Sequence, residues 1–420
     1  MTNRKISLFV LLVMQGLSML GSRLTAVAIG IWLVKEQGSV TPLLLISLFQ
    51  ELPALVVGMW LGLAVDRFNR IAVIITADTG QAVGTLLLLV SITSGNFELW
   101  HLYAIVALQG VFAAMQAPAV SAVTYQTVEE SELDRTNAIR ELLFPLTGVI
   151  ASVLAGMLYA PLSISGIVLL DMMTFGLAVI VTLCLRLPGK PENAVRCKSG
   201  GSLESTGLSD LWIEALQGFA FLAEHRGLLV LALCMAWWNF ILNGPLELAI
   251  PYLLGRTGSE VVMSLLLVAM NAGALTGAVL VLAGLTFRRR LLPMFIGTIV
   301  TAVMFVVFGI ANNAWVLGVA VFLLMLPLPM TGALFTSLVQ LHTPDNMQGR
   351  VFAAIGQLNA VTAPLSFIVT GPLVDRWLEP ALRGPYGSGA GIGLLLAVAG
   401  ILLLLGAVPA YLNKKVRELE

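Results

Sequence analysis

Apolar runs of about twenty residues or more, separated by short polar breaks, account for most of the chain. A helix that crosses the hydrocarbon core of a bilayer needs about 20 mostly apolar residues. Twelve such runs are predicted, near 7–34, 42–65, 71–94, 100–124, 138–160, 164–186, 228–254, 260–285, 291–311, 315–341, 350–372 and 389–412. The first opens after Arg4 and Lys5. It is too long for a signal-peptide core and has no small-residue cleavage site, so it is expected to stay in the mature protein. The longest polar stretch, 187–226, falls between runs six and seven. It begins with linker composition, Pro188 to Ser202. Leu208, Leu211, Trp212, Ala215, Leu216, Phe219 and Leu222 then recur at helical spacing, which predicts an amphipathic helix on the membrane face. The organisation expected is a lobe over 1–186, a connector over 187–226 and a lobe over 227–420. An offset of about 215 residues aligns Arg135 with Arg350 and Gly156 with Gly371, a faint repeat of the kind two-lobed transporters carry. The fold class is therefore all-α and polytopic, with 12 transmembrane helices in two six-helix lobes.

Composition excludes the main alternatives. Hydrophobic residues make up 58% of the 420 residues and charged residues 11%. Soluble domains carry about 25% charge, so a cytosolic enzyme, a nucleic-acid binder and a secreted domain are all ruled out. Net charge is zero, and Cys184, Cys197 and Cys234 have neither metal-ligand nor disulfide spacing. With the N-terminus inside, eighteen of the 23 basic residues lie on the cytoplasmic side. Lys35, Arg256, Arg376 and Arg383 lie outside, and Arg23 lies within a span. The positive-inside bias predicts two cytoplasmic termini. No Gly-x-x-x-x-Gly-Lys-Ser/Thr loop occurs, so ATP is not the direct fuel.

A charge at the bilayer centre costs at least ~2.5 kcal/mol, so charges inside the runs mark candidate function. Arg23 and Glu51 have compatible depths for an ion pair that carries protons or grips a zwitterion. Asn239, Asn243 and Glu247 recur every four residues beside Trp238 and Pro245, a polar stripe expected to face a central cavity and suited to a cationic amphiphile. Gln15, Asn271, Gln357 and Asn359 add neutral polar groups, and Gln109 and Gln116 join them from run four. Asp78, Arg140 and Glu141 lie towards the cytoplasmic ends of their runs, where gating is the expected role. Asp171 reads as a structural acid near the outer end of run six. No metal site is expected, since His101, His225 and His342 all lie at run ends on different loops.

The loop after run two contains Gly62, Asp66, Arg67 and Arg70. It resembles the signature loop of the major facilitator superfamily, which latches the two lobes on the cytoplasmic side. Thr343–Val351, Gly371–Pro380 and Gly218–Gly227 resemble the macrolide-efflux and siderophore-export branch of its drug:proton antiporters. The resemblance covers nearly the whole chain and implies the major facilitator fold and export from the cytoplasm. Three positions depart from the antiporter pattern. Gln109 stands where an arginine precedes Gly110, the stretch from Gly148 to Gly156 lacks its proline, and Gly284–Arg290 has lost the aspartate of the second signature loop. These departures bear on proton coupling rather than on fold.

The function expected is secondary active efflux of small amphiphilic compounds across the inner membrane by alternating access. The proton gradient is the expected driving force, with no cofactor, no nucleic acid and a single chain sufficient. A siderophore exporter or a lysophospholipid carrier of the same fold, with or without proton coupling, is the alternative.

Overall fold

The structure is a computed structural model that describes residues 3–95, 97–128, 130–185, 217–283, 289–344 and 347–419, with side chains undescribed at a few further positions. The described residues are helical almost throughout. The first half contains α1 (Asn3–Gln37), α2 (Thr41–Arg67), α3 (Arg70–Thr93), α4 (Leu99–Thr127), α5 (130–162) and α6 (164–184). The second contains α7 (Arg226–Glu247), α8 (Ala249–Thr257), α9 (Glu260–Leu282), α10 (Leu291–Ile310), α11 (Ala314–Met325), α12 (Leu328–Leu341), α13 (Gln348–Leu373), α14 (Glu379–Tyr386), α15 (Ala390–Leu412) and α16 (Lys414–Arg417).

Among the described residues, ten segments are long and apolar enough to cross a membrane by length and composition. One of them, Leu142–Cys184, holds two crossings, because Ser163 adopts φ 54 and turns the chain between α5 and α6. The 27-residue α2 supplies the remaining crossing, which gives the twelve read from the sequence. Run seven is broken after Glu247, shortly past Pro245, and run ten at Pro327, where proline withdraws a backbone donor. Outward-facing Phe9, Leu86, Ile180, Leu265 and Leu405 stay exposed, as lipid contact requires.

The predicted connector lies outside the described residues up to 216. The chain is helical over 217–224, and Leu222 is buried there against Leu228, Val351 and Val416. A methyl group on Gly218 would collide with Arg350 O, and one on Gly227 with Lys415 O. Two glycines of the Gly218–Gly227 motif thus let this helix and α7 press against the starts of α13 and α16.

By internal contact the chain forms two compact units whose borders cross the chain halves. The first contains residues 1–193 together with 247–272 and 371–377, and the second contains the rest. Named bonds explain the additions. The Asp375 carboxylate accepts from Val40 N at 2.9 Å, Thr41 N at 2.7 Å and Thr41 Oγ1 at 2.5 Å, capping the N-terminus of α2. Lys35 pairs with Glu260, and α8 packs on α1, where Gly30 admits Ile250. Glu379, from the same Gly371–Pro380 motif, accepts from Gly389 N at 2.8 Å and Gly391 N at 3.0 Å in the second unit, capping α15.

Inside the first unit two apolar clusters sit at different heights. One joins Leu8, Leu11, Ile74, Ala119 and Val123. The other joins Leu33, Leu88, Leu102, Ile105 and Val168. Between them on α1, α3 and α4 lie Gln15, Asp78, Gln81, Thr85, Gln109 and Gln116. In the second unit α10 packs along α15, α11 and α12.

Candidate functional site

The first unit brings together residues from five helices, with charged or polar side chains from four of them. The Arg23 guanidinium on α1 lies 3.5 Å from the centre of the Phe144 ring on α5, a cation–π contact that partly offsets its desolvation. One turn further along α5, Gly148 leaves room for two neighbours. A methyl group there would collide with Asn271 Oδ1 of α9 and come within 3.2 Å of Arg23 Nη1. Asn271 is anchored by its own helix, its Nδ2 donating to Leu267 O at 2.9 Å. Across from these, Ser47 Oγ on α2 donates to Glu247 Oε1 at 2.5 Å, at the break between α7 and α8. Glu247 is close enough to both Arg23 and Glu51 for the charges to act on one another.

The predicted ion pair is thereby corrected. Arg23 and Glu51 are not within 4 Å of each other; Arg23 stacks on Phe144 instead. Glu247, read from the sequence as part of a separate stripe, is the acid whose charge reaches both. Glu51 and Glu247 each keep more than a third of their surface accessible. Arg23 and these two acids are therefore the candidate ligand contacts of this unit.

The stripe on α7 divides at Glu247. In the second unit Asn239 Nδ2 donates to Met235 O at 3.0 Å and to Asn359 Oδ1 at 3.2 Å, and Asn243 Nδ2 donates to Asn239 O at 2.8 Å. Asn239 and Asn359 are thus brought together across α7 and α13, while Gln357 is exposed. Trp238 is only 5% exposed, so its ring has little open face for a cation. Its neighbour Trp237 is the more open indole, with Nε1 donating to Leu402 O at 3.0 Å.

The gating residues are described only in part. The side chains of Gly62, Asp66, Arg67 and Glu141 lie outside the described residues. Arg70 Nη1 reaches Ala122 O at 3.4 Å, and Arg140 Nη2 donates to Ser121 Oγ at 2.9 Å, so both basic residues bind α4. Asp78 is fully buried and accepts from Gln15 Nε2 at 3.0 Å and Gln116 Nε2 at 2.6 Å. Gln15, expected beside a cavity, instead belongs to that bundle.

Sequence reasoning passed over Ser47 and Phe144, and it read Gly148 only as part of a degenerate motif. The signal for Ser47 was its place four residues before Glu51, on the same helical face.

Twelve spans with a charged locus at the break between α7 and α8 fit a transporter, and comparison decides which. A profile of the Major Facilitator Superfamily matches residues 11–366. The chain belongs to the major facilitator superfamily. Its superfamily relatives are transporters rather than enzymes. Macrolide efflux protein A of Streptococcus pyogenes is 23% identical, with 100% of this chain and 98% of that protein aligned. The multidrug efflux pump Tap of Mycolicibacterium fortuitum is 24% identical over 100% of this chain and 99% of its own. Among solved structures, a point mutant of the nucleoside transporter NupG superposes with a TM-score of 0.75 at 11% identity, covering 96% of this chain and 99% of that one. A bacterial homologue of the human lysosomal transporter Spinster, inward-facing and unoccupied, gives 0.73 at 14% identity, covering 99% and 97%. These two likenesses establish the fold, and the protein is a multi-pass membrane transporter.

Proposed function

We propose that this major facilitator exports amphiphilic organic compounds from the cytoplasm across the inner membrane by alternating access, driven by inward proton movement. Both termini lie in the cytoplasm and one chain forms the whole pathway. The observation that carries the reading is Glu247: an accessible acid at a helix break, held by Ser47, with Arg23 and Glu51 in electrostatic range. Charge of both signs inside a membrane bundle is expensive and marks a functional site by default. The chain-long relation to proteins named for macrolide and multidrug efflux supports the direction of transport and the substrate class.

Arg23 facing the same locus as two acids also suits a zwitterion, which keeps the lysophospholipid carrier as the second reading. Reconstitution into proteoliposomes with an imposed pH gradient tests both, using cationic, zwitterionic and anionic amphiphiles. Uphill movement of cationic amphiphiles that collapses with an uncoupler is the expected result. Transport of zwitterions indifferent to the gradient would replace the antiporter with a facilitator or lipid carrier.

A further inference from the structure

A second pair of acids lies away from the site at Glu247, closed inside the first unit. Asp78 is 0% exposed and Asp171 2%, and they are the buried charged residues among those described. Gln15 and Gln116 donate to Asp78. Gln116 Oε1 accepts from Gln81 Nε2 at 3.0 Å, and Gln109 Nε2 donates to Gln81 O and to Thr85 Oγ1, each at 3.1 Å. Thr85 Oγ1 lies 3.3 Å from Asp171 Oδ2, and Ser22 Oγ lies 3.4 Å from Asp171 Oδ1. The acids are therefore joined by a hydrogen-bonded layer from α1, α3, α4 and α6. It covers seven residues of α3, about 10 Å at 1.5 Å per residue, and lies between the two apolar clusters of this unit.

Among the described residues, neither acid has a basic residue within 4 Å. The groups facing them are Gln15, Ser22 and Thr25 from α1, Gln81 and Thr85 from α3, Gln109 and Gln116 from α4, and Thr174 from the turn of Asp171 itself. Arg23, the charged residue nearest on α1, is turned onto Phe144. A buried carboxylate without a cation is costly when ionised and cheap when protonated.

Counting protons around Asp171 shows that the layer suits both forms. Each hydroxyl owns one proton. Ser22 Oγ can give its proton to Ser18 O at 3.3 Å or to Asp171, and Thr85 Oγ1 can give its own to Gln81 O at 3.2 Å or to Asp171. Thr25 Oγ1, buried beside Asp171, is a third hydroxyl close enough to act on its carboxylate. With Asp171 ionised, Ser22 and Thr85 turn their protons to it. With Asp171 protonated, both hydroxyls turn to helix carbonyls, and the acid proton goes to one of the hydroxyl oxygens, Thr25 included. Two satisfied arrangements of one site, differing by one proton, are what reversible proton binding requires.

We propose that the coupled proton of transport binds at Asp171, in a layer that Asp78 shares, separate from the substrate locus at Arg23, Glu51 and Glu247. The proton adds to a carboxylate oxygen from water on one side of the membrane and leaves to water on the other, and no other bond changes. Gln109 and Thr85 are positioning residues. The inference rests on the proton-driven reading of the function.

The test reconstitutes the full-length protein in proteoliposomes with ethidium as the probe. It compares accumulation driven by an acid interior with counterflow in the absence of a gradient. Asp171→Asn should lower gradient-driven accumulation at least tenfold and leave counterflow within twofold of wild type. Asp78→Asn should lower accumulation by a smaller factor. Wild-type accumulation in both variants would overturn the assignment while leaving proton-driven export intact. A wild-type protein that exchanges ethidium but ignores the gradient would overturn the proton-driven reading and this inference with it. Thr85→Val, which keeps both acids, guards against misfolding of the first variant. Its ethidium-induced proton release, followed with a pH dye, should move along the pH axis relative to wild type, and an unmoved curve in a folded Thr85→Val protein also overturns the assignment.

Discussion

The helical bundle of α1, α3, α4 and α6 and the bundle of α10, α11, α12 and α15 meet the same solvent problem by opposite means. In the first, the middle layer is polar: Asp78, Gln81, Gln109, Gln116, Thr85 and Asp171 bond from helix to helix. In the second, buried polar groups are isolated hydroxyls that return to the backbone. Thr298 Oγ1 donates to Met294 O at 3.0 Å, Thr331 Oγ1 to Pro327 O at 2.9 Å and Thr301 Oγ1 to Leu324 O at 3.1 Å. Close backbone approach provides the cohesion there. A methyl group on Gly309 would collide with Gly393 O and come within 2.7 Å of Ala397 N, and one on Gly400 would collide with Ala302 O. Lipid tails are as apolar as leucine, so membrane helices associate through close packing and interhelical hydrogen bonds rather than through hydrophobic burial. One bundle spends its interior on titratable chemistry and the other on rigidity, although the chain shows a faint trace of a repeat between its halves.

If that contrast holds, substitutions in the first unit should damage transport before stability, and substitutions in the second should do the reverse. The largest effect is expected at Gly148→Leu, which fills the space shared by Asn271 and Arg23. Efflux of the probe should fall at least tenfold, about 1.4 kcal/mol or more in the transport barrier, with the unfolding midpoint in detergent lowered less than by Gly309→Val, because the atoms met are side-chain ends rather than backbone. Next, Gly309→Val forces α10 away from α15. It should cost about 1–3 kcal/mol of stability, seen as a lowered unfolding midpoint, while the ratio of driven to undriven transport in the surviving protein stays constant. Thr301→Val removes one interhelical hydrogen bond from α10 to α11 and should cost about 0.6 kcal/mol, with transport unaffected. Smallest is Lys35→Ala, which deletes the exposed pair with Glu260. Its cost should be about 0.2 kcal/mol and should vanish at high salt. Loss of coupling at Gly309→Val, or a large stability loss at Gly148→Leu without loss of transport, would erase the contrast.

The motif stretches were legible as motifs but not as mechanisms. Asp375 and Glu379 stand out in the sequence between Gly371 and Pro380. Only the tertiary structure shows each capping a helix N-terminus, Asp375 that of α2 and Glu379 that of α15. The small-residue pair Gly273 and Gly277, four residues apart on α9, meets backbone carbonyls, Phe322 O and Leu326 O. Trp238 shows the limit of the same reasoning. Its place beside Asn239 and Asn243 suggested a ligand face, yet adjacent residues on a helix point about 100° apart, and Trp238 turns into the protein.

The sequence by itself determined the number of crossings, the break between α5 and α6 and the isolation of a few charges within apolar helices. Each follows from local composition, because a bilayer leaves a backbone only the helix and gives its length a fixed scale. Tertiary structure alone decided which polar groups meet. Whether Glu51 finds Arg23 or Glu247, and whether Gln15 faces a cavity or bonds to Asp78, depends on the rotation of each helix about its axis and on its stagger against its neighbours. Hydrophobic periodicity fixes neither of these in a helix that is apolar on every side. Contacts such as Gly148 with Asn271 fix both.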